Sequence, residues 1–199
     1  MKFYSILIVL ICTFNVYAME PVWLKSYPEW IPATVDFEQY STLNELFDEK
    51  LIKYKDKPAF ANMGETLSYA QIDQASKNFA AFLQQKLHIA KGDRFAIMLP
   101  NILQYPVAVI GILRAGGTIV NINPQFTASE LEQQLNDCQA TSIIVLSNLV
   151  PMVEKIKNKT TLKNIIVTQI DDMLSTHKIE RSVFLEHGAT EYYRFENVL

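Results

Sequence analysis

Between residues 94 and 168, short apolar runs alternate with segments of helical periodicity. The runs are RFAIM, TIVNI, SIIVL and NIIVT, and the segments between them place apolar side chains three and four positions apart. Strands buried on both faces of a parallel sheet have this appearance, because each right-handed crossover lays a helix over the sheet. The sequence therefore predicts an α/β fold with a parallel sheet flanked by helices.

The region just before this block predicts two amphipathic helices separated by a hairpin. Thr42 with Glu45, and Ser68 with Gln71, have the spacing of capping boxes at helix starts. Between the two helices, Asn62-Met63-Gly64 separates two short extended runs, which favours a β-hairpin. Residues 41–172 are therefore expected to form part of one α/β domain.

Regular structure is predicted to fade at both ends of that domain. Residues 19–40 carry prolines and both tryptophans with little periodicity, which favours an extended arm lying over a domain surface. After Asp172 the periodicity is lost again. Residues 173–199 are therefore predicted to be a weakly specified, divergent tail without a further recognisable element.

Residues 1–18 have the pattern of a secretory signal: Lys2, a short apolar run and Ala18 at the end. The run is shorter than the roughly 20 residues that span a bilayer. Met19 begins a second plausible N-terminus, so an upstream extension is the alternative. A cytoplasmic location, or a peripheral one at the inner membrane, is expected with the extension, and export with a genuine signal.

Composition excludes several classes of function. The net charge is -3 and the basic residues are scattered, so no nucleic-acid partner is expected. Cys12 and Cys138 provide neither a disulfide framework nor a metal cluster, and Cys138 is predicted to be buried and inert. The histidines lie far apart in sequence and are predicted to serve surface or packing roles; they are His88, His177 and His187.

Two turns in the apolar block are candidate ligand sites. Gly116-Gly117 follows a predicted helix through Leu103–Ala115, and a left-handed helix end explains both glycines better than a phosphate-binding loop. The same helix is expected to be capped by Asn101 and to carry Pro106 in its first turn. The loop from Asn121 to Phe126 follows a strand and so can face a ligand, although a connecting turn is favoured.

Three stretches resemble the N-terminal region of the adenylate-forming acyl-CoA synthetases, and the bacterial long-chain fatty-acid ligases in particular. They are MEPVWLKSYPEW, LSYAQIDQASKNFAAFLQ and the continuous block from Lys91 to Ala140. The likeness runs from about Met19 to Asp172. It implies the incomplete N-terminal part of the large, AMP-binding domain of an adenylate-forming enzyme.

The resemblance also implies a reaction. Family members use ATP, Mg²⁺ and coenzyme A to convert a fatty acid to an acyl-adenylate and then to an acyl-CoA. In family order, the groups that handle the nucleotide come after the region present here. Nothing in the chain resembles YTGGTTGxxKG, and the lysine-rich stretch from Lys155 to Lys163 has no glycine.

No catalytic, cofactor-binding or metal-binding residue is therefore predicted in this chain, and no ligase activity is expected from it alone. The leading interpretation is a truncated long-chain fatty-acid–CoA ligase. One alternative is half of a split ligase that a second, C-terminal ligase chain completes. The other alternative is an exported, non-catalytic protein that binds a lipid or a partner.

Overall fold

The structure is a computed structural model that describes residues 21–36, 38–175 and 191–199. The chain divides into two units, Met1–Gln39 and Tyr40–Leu199. In the first unit, Val22–Ser26 form a 3-10 helix, so the predicted extended arm contains this helical turn. Its location over a domain surface stays a prediction, and the signal-like residues 1–18 lie outside the described residues.

The second unit begins with a helix and a hairpin, as the capping signals predicted, and then alternates strands with helices. Its helices are α1 (Leu43–Lys53), α2 (Tyr69–Gln85), α3 (Gln104–Arg114), α4 (Ala128–Cys138) and α5 (Val150–Ile156). Its strands are β1 (Pro58–Asn62), β2 (Glu65–Ser68), β3 (Arg94–Met98), β4 (Thr118–Asn121), β5 (Ser142–Leu146), β6 (Asn164–Thr168) and β7 (Glu191–Arg194). Short 3-10 turns cover Ser147–Leu149, Lys157–Lys159 and Phe195–Val198.

The main sheet is parallel throughout, with the strand order β4-β3-β5-β6-β7. The strands β1 and β2 form a separate antiparallel hairpin. The prediction of a parallel sheet flanked by helices is confirmed.

Alternate residues of the central strands enter two separate cores. On β3, Phe95 and Ile97 pack with α2 and α3, whereas Ala96 and Met98 pack with α4 and α5. All four side chains are at most 1% exposed. This double burial explains why the strands read as continuous apolar runs in the sequence.

The predicted helix starts are confirmed by their hydrogen bonds. Ser68 and Gln71 form a complete capping box at α2, and Thr127 and Glu130 form one at α4. At α1 the Thr42 hydroxyl accepts from the backbone N–H of Glu45 at 3.1 Å. These local bonds fix where the chain turns from a loop into a helix.

The helix α3 departs from the prediction at both ends. Asn101 does not cap it, because the helix begins only at Gln104, and the Asn101 carbonyl instead accepts from Asn62 Nδ2 at 3.3 Å. Gly116 has the predicted left-handed conformation, with φ of +89°. Gly117 does not have this conformation. A glycine is required at this position because a Cβ there would lie 2.9 Å from Ile112 Cγ2.

The prediction that residues 173–199 hold no further element is wrong for the last nine residues, while 176–190 lie outside the described part. The strand β7 pairs in parallel with β6, and Phe195 just after it is fully buried against Phe79, with the ring centroids 5.1 Å apart. The short sequence EYYR has neither an apolar run nor polar alternation. Its tyrosines nevertheless pack against the two cores, Tyr192 against one and Tyr193 against the other.

Arg114, the last residue of α3, ties three helices together. Its guanidinium donates to Asp73 Oδ1 at 2.7 Å and to Ser76 Oγ at 2.6 Å on α2. It also contacts Asp48 Oδ1 on α1 at 2.5 Å. The Arg114 side chain is 11% exposed, so these contacts are largely shielded from water.

Candidate functional site

Because every neighbouring pair in the main sheet is parallel, the carboxyl ends of its five strands lie along one edge. Ligands in open α/β sheets bind beyond this edge. The candidate site is the polar cluster where β3, β6 and β7 end there. This group, here called the carboxyl-edge cluster, consists of Gln104, Thr168, Gln169, Asp172, Arg194 and Glu196.

A fully buried amide lies at the centre of the cluster. Gln104 begins α3, and its Nε2 donates to Thr168 Oγ1 at 3.2 Å and to the Gln169 carbonyl at 2.7 Å. Its Oε1 is buried and has no hydrogen-bond partner among the described residues. A buried acceptor without a partner costs free energy, so this atom marks hydrogen-bonding capacity left over at the carboxyl edge.

Asp172 fixes the loop that follows β6. Its Oδ2 accepts from Thr168 Oγ1 and from the Gln169 backbone N–H, both at 2.8 Å. Together with Gln104, this carboxylate holds the first turn of the loop against the end of α3. The loop is thereby positioned by side chains from two different strand ends.

An ion pair closes the cluster on the β7 side. Arg194 Nη1 lies 2.7 Å from Glu196 Oε1, and both side chains are less than a fifth exposed. The pair borders a cavity of about 10 Å³ that is also lined by Val167, Thr168 and Asp172. That volume suffices for roughly one water molecule, so the cluster as described holds hydrogen bonds but has no room for a nucleotide.

The β1–β2 hairpin reaches the same edge. Asn62 donates to the loop after β3, and Glu65 Oε2 accepts from the Ser175 backbone N–H at 2.9 Å in the loop after β6. This hydrogen bonding lowers the pKa of Glu65 below its ordinary value. Asn62 Oδ1 is a second buried acceptor without a partner among the described residues.

The loop from Asn121 to Phe126 has the contacts of a connecting turn. Asn121 Oδ1 accepts from the Tyr105 hydroxyl at 3.1 Å, and Asn123 Oδ1 accepts from the Gln125 backbone N–H at 3.0 Å. The second bond is an Asx turn, which stabilises such a loop without a ligand. Binding of a ligand by this loop stays a prediction.

The cysteine and histidine residues lie apart from the cluster or outside the described residues. Cys138 ends α4 and is half-buried rather than fully buried, with its thiol 3.6 Å from the Leu135 carbonyl. His88 is exposed, while His177 and His187 lie outside the described residues. Gln104 and Asp172 were missed as site residues. The signal that could have identified Gln104 is the presence of a polar glutamine within the apolar stripe of α3.

A larger groove of about 690 Å³ lies beside β7 and the end of α2. Tyr193 packs edge-on against Phe82 within it, with the ring centroids 5.2 Å apart. Its lining residues are Phe82, Gln85, Lys86, Tyr192, Tyr193, Arg194 and Asn197. Three of these seven residues are aromatic, and Lys86 and Arg194 give the groove positive charge.

Over 21–36, 38–175 and 191–199, no group of three or more His, Cys, Asp or Glu side chains is placed to hold a metal ion. Within those same ranges, every helix is too short or too polar to cross a bilayer.

The family model for AMP-binding enzymes matches residues 47–191, from within α1 to the start of β7. This chain belongs to the AMP-binding enzyme family. Within the carboxyl-edge cluster, the residues from Gln104 to Asp172 lie inside the matched region, whereas Arg194 and Glu196 follow it.

Curated relatives include the long-chain-fatty-acid–CoA ligases of Yersinia pestis and Salmonella typhimurium, which are 48% and 49% identical over 160 residues. The ligase of the same name from Bacillus subtilis is 37% identical over 152 residues. The first two alignments cover 80% of this chain but only 28% of each relative. The chain is thus homologous to about a quarter of such a ligase.

Solved structures of other proteins share the fold. The luciferase-like enzyme of the mealworm Zophobas morio has a TM-score of 0.65 at 19% identity, over 83% of this chain and 36% of that one. A long-chain-fatty-acid-CoA ligase from Archaeoglobus fulgidus has a TM-score of 0.58 at 26% identity, over 62% of this chain and 26% of its own. The first likeness concerns the fold alone.

Proposed function

We propose that this chain is the N-terminal part of a long-chain-fatty-acid–CoA ligase. Such a ligase joins a fatty acid to ATP as an acyl-adenylate, releases pyrophosphate and passes the acyl group to coenzyme A. The identity of 48–49% over 160 residues with two bacterial ligases carries the proposal. A syringomycin synthase of Pseudomonas syringae is only 28% identical over 138 residues, so the sequence favours the fatty-acid ligases.

Within that enzyme, the chain contributes a scaffold and not the groups that handle phosphate. Phosphate chemistry depends on positioned cations and backbone donors around the developing charge. A glycine-rich loop with lysine is missing from the 199 residues. The lysines from Lys155 to Lys163 instead run from the last turn of α5 into the 3-10 turn and the loop after it. The nucleotide-binding groups and Mg²⁺ ligands are then supplied by the rest of the ligase, on the same polypeptide or on a complementing C-terminal one.

The rest of the ligase contacts this chain at the carboxyl-edge cluster. Gln104 and Asp172 hold the loop after β6 at the edge where ligands bind in such sheets. Gln104 Oε1 is available there to a donor from the remainder of the ligase or to a water molecule. These side chains position the loop, and they do not themselves transfer protons or phosphate.

A segment exchange tests the proposed substrate class. The homologous 160 residues of the Salmonella typhimurium ligase are replaced by those of this chain, and formation of long-chain acyl-CoA is measured with ATP and coenzyme A. The chimera is expected to retain activity on long-chain fatty acids. A matched control carries the homologous 138 residues of the syringomycin synthase and is expected to lose that activity. A folded chimera that consumes ATP but rejects long-chain acids contradicts the proposal.

The isolated chain provides a second test. It is expected to show no fatty-acid-dependent exchange of pyrophosphate into ATP, because the residues that bind the triphosphate are missing from it. Saturable exchange by the purified chain refutes the assignment as a scaffold, whatever the outcome of the segment exchange.

A further inference from the structure

The β1–β2 hairpin is firmly attached to the domain core at its base. Leu67 on β2 is buried in the core that α2 and α3 share. The backbone N–H of Tyr69 donates to the Lys57 carbonyl at 3.1 Å, and the last residue of β2, Ser68, caps α2. Because its second strand continues directly into α2, the hairpin provides a fixed support beside the carboxyl edge of the sheet.

Two side chains of this hairpin reach the loops that follow β3 and β6. Asn62 and Glu65 are opposite each other in the hairpin register, so both lie on the same face of its strands. Asn62 Nδ2 donates to the Asn101 carbonyl after β3 at 3.3 Å. Glu65 Oε2 accepts from the Ser175 backbone N–H at 2.9 Å, and the Ser175 hydroxyl is a second donor to Glu65. One cross-strand pair therefore contacts two loops that are far apart in sequence.

The loop after β6, residues 169–175, is consequently held at both ends. Hydrogen bonds of the carboxyl-edge cluster fix its beginning, where Gln104 and Asp172 bind the backbone of Gln169. Glu65 fixes its end through Ser175. The bond to Glu65 joins residues 110 positions apart in the chain, so the position of the hairpin determines where the far end of this loop lies.

The composition of the loop favours an apolar ligand. Its sequence QIDDMLS contains two aspartates and neither lysine nor arginine. With Glu65 beside them, these carboxylates repel the polyphosphate groups of ATP and coenzyme A. Apolar side chains are exposed on both elements that the bond joins, with Ile170 on the loop 45% exposed and Met63 on the hairpin turn 67% exposed. Among the substrates of the proposed reaction, the acyl chain of the fatty acid fits best here.

We infer that Glu65 is a positioning residue for the fatty acid: by holding Ser175, it keeps the loop after β6 in the arrangement that receives the acyl chain. This inference rests on the proposed ligase function. Glu65 acts through the loop and takes no part in proton or phosphate transfer. Without its bond the loop adopts further arrangements, so a smaller fraction of the molecules is ready to bind the acyl chain.

Hydrogen exchange in the full chain tests the bond itself, whether or not the ligase is active. Deuterium uptake is compared between the parent chain and Glu65→Ala, in peptides that contain the Ser175 amide and in peptides from β3 and β6. Faster uptake is expected at Ser175 alone. Unchanged uptake there overturns the inference. Equally faster uptake in β3 and β6 also overturns it, because Glu65 then stabilises the whole fold.

Kinetics test the effect on the substrate. This chain is produced together with the C-terminal remainder of the Salmonella typhimurium ligase, and long-chain acyl-CoA formation is measured. Glu65→Ala is expected to raise the KM for the fatty acid about fivefold and to leave kcat within about twofold, because only the fraction ready to bind falls. A lower kcat with an unchanged KM indicates loss of folded protein and contradicts the inference. A rise in KM for ATP or coenzyme A instead contradicts the assignment to the acyl chain.

Two further variants provide the matched comparison. Glu65→Gln keeps an acceptor oxygen at the same place, so it is expected to limit the rise in KM to about twofold. Thr66→Ala changes the next residue, whose exposed side chain lies on the opposite face of the hairpin, and is expected to leave KM unchanged. The inference is overturned if Thr66→Ala raises KM as much as Glu65→Ala, or if glutamine is as damaging as alanine.

Failure of this inference is distinguishable from failure of the proposed function. If the parent pair of polypeptides makes no acyl-CoA, the proposed function fails together with the assignment to the acyl chain, whereas the exchange result still decides whether Glu65 holds the loop. If the parent pair is active and Glu65→Ala has the same KM for the fatty acid, this inference alone fails.

Discussion

The helix α3 carries a polar anchor at each end, and the two anchors differ in kind. At its C-terminal end, Arg114 is charged and joins α1 and α2 through Asp48, Asp73 and Ser76. At its N-terminal end, Gln104 is neutral and fully buried and keeps an acceptor without a partner among the described residues. The first end holds helices together, whereas the second retains hydrogen-bonding capacity at the edge where ligands bind.

The largest expected effect is at the charged anchor. Arg114→Ala is expected to lower the free energy of unfolding by about 3 kcal/mol or more, because Asp73 loses a shielded partner. Lys77→Ala removes another cation from Asp73, but the Lys77 side chain is 56% exposed. Its expected cost is at most about 0.5 kcal/mol. Urea denaturation of the full chain measures both, and similar losses contradict the assignment of Arg114 as the main tie.

The neutral anchor is expected to contribute less. Gln104→Ala is expected to cost about 2 kcal/mol, because it opens a cavity and removes the 2.7 Å hydrogen bond from Gln104 Nε2 to the Gln169 carbonyl. Gln104→Met fills the same space and also removes the acceptor that lacks a partner, so it is expected to cost about 1 kcal/mol less than alanine. If methionine is as destabilising as alanine in the same urea titration, then Gln104 Oε1 accepts a hydrogen bond in the folded chain, which contradicts its assignment as an acceptor without a partner.

Activity in the segment-exchange chimera sharpens the comparison. Gln104→Met is expected to lower kcat/KM about tenfold, because the loop after β6 loses the donor that positions it at the ligand edge. Arg114→Lys is expected to reduce thermal stability but to leave kcat/KM within about twofold, since Arg114 lies at the opposite edge. Steady-state kinetics below the melting temperature of each variant separate the effects. The reverse pattern contradicts the division between the two ends.

The smallest expected effect is the pH dependence of the charged anchor. Burial raises the pKa of Asp73, but hydrogen bonds from Lys77 and Arg114 and their charges outweigh burial and hold the pKa below its ordinary value of 3.8. The carboxylate therefore contributes stability above about pH 4, which is lost as the pH falls through the depressed pKa. The gap in unfolding free energy between the parent chain and Arg114→Ala should narrow from about pH 6 to about pH 3.

Gln104→Met is the control for this pH series. It changes no titrating group, so its gap from the parent chain should stay constant over the same range. A constant gap for Arg114→Ala as well means that Asp73 is not the group through which Arg114 stabilises the fold.

Much of the scaffold was predictable from the sequence, because its signals are local. Continuous apolar runs identified β3, β5 and β6, and serine and threonine caps with Gln or Glu three residues later identified the starts of α2 and α4. These patterns reflect burial on both sheet faces and bonds between near neighbours. They do not depend on knowing which elements meet in space.

The carboxyl-edge cluster was not predictable in the same way, because its bonds join distant residues. Gln104 meets Thr168 and Gln169 only after the sheet has brought the ends of β3 and β6 to one edge. The strand β7 was missed because four residues with two tyrosines carry too little periodicity. Gly117 was assigned to backbone freedom, whereas its actual reason is the close approach of Ile112.

The most direct test of the central claim uses two polypeptides. This chain is expressed together with the remaining C-terminal part of the Salmonella typhimurium ligase, and long-chain acyl-CoA formation is measured for each alone and for the pair. The account predicts product only when both are present, because scaffold and nucleotide-binding groups are on different chains. Acyl-CoA or acyl-adenylate made by this chain alone, or by the remainder alone at the rate of the pair, contradicts it.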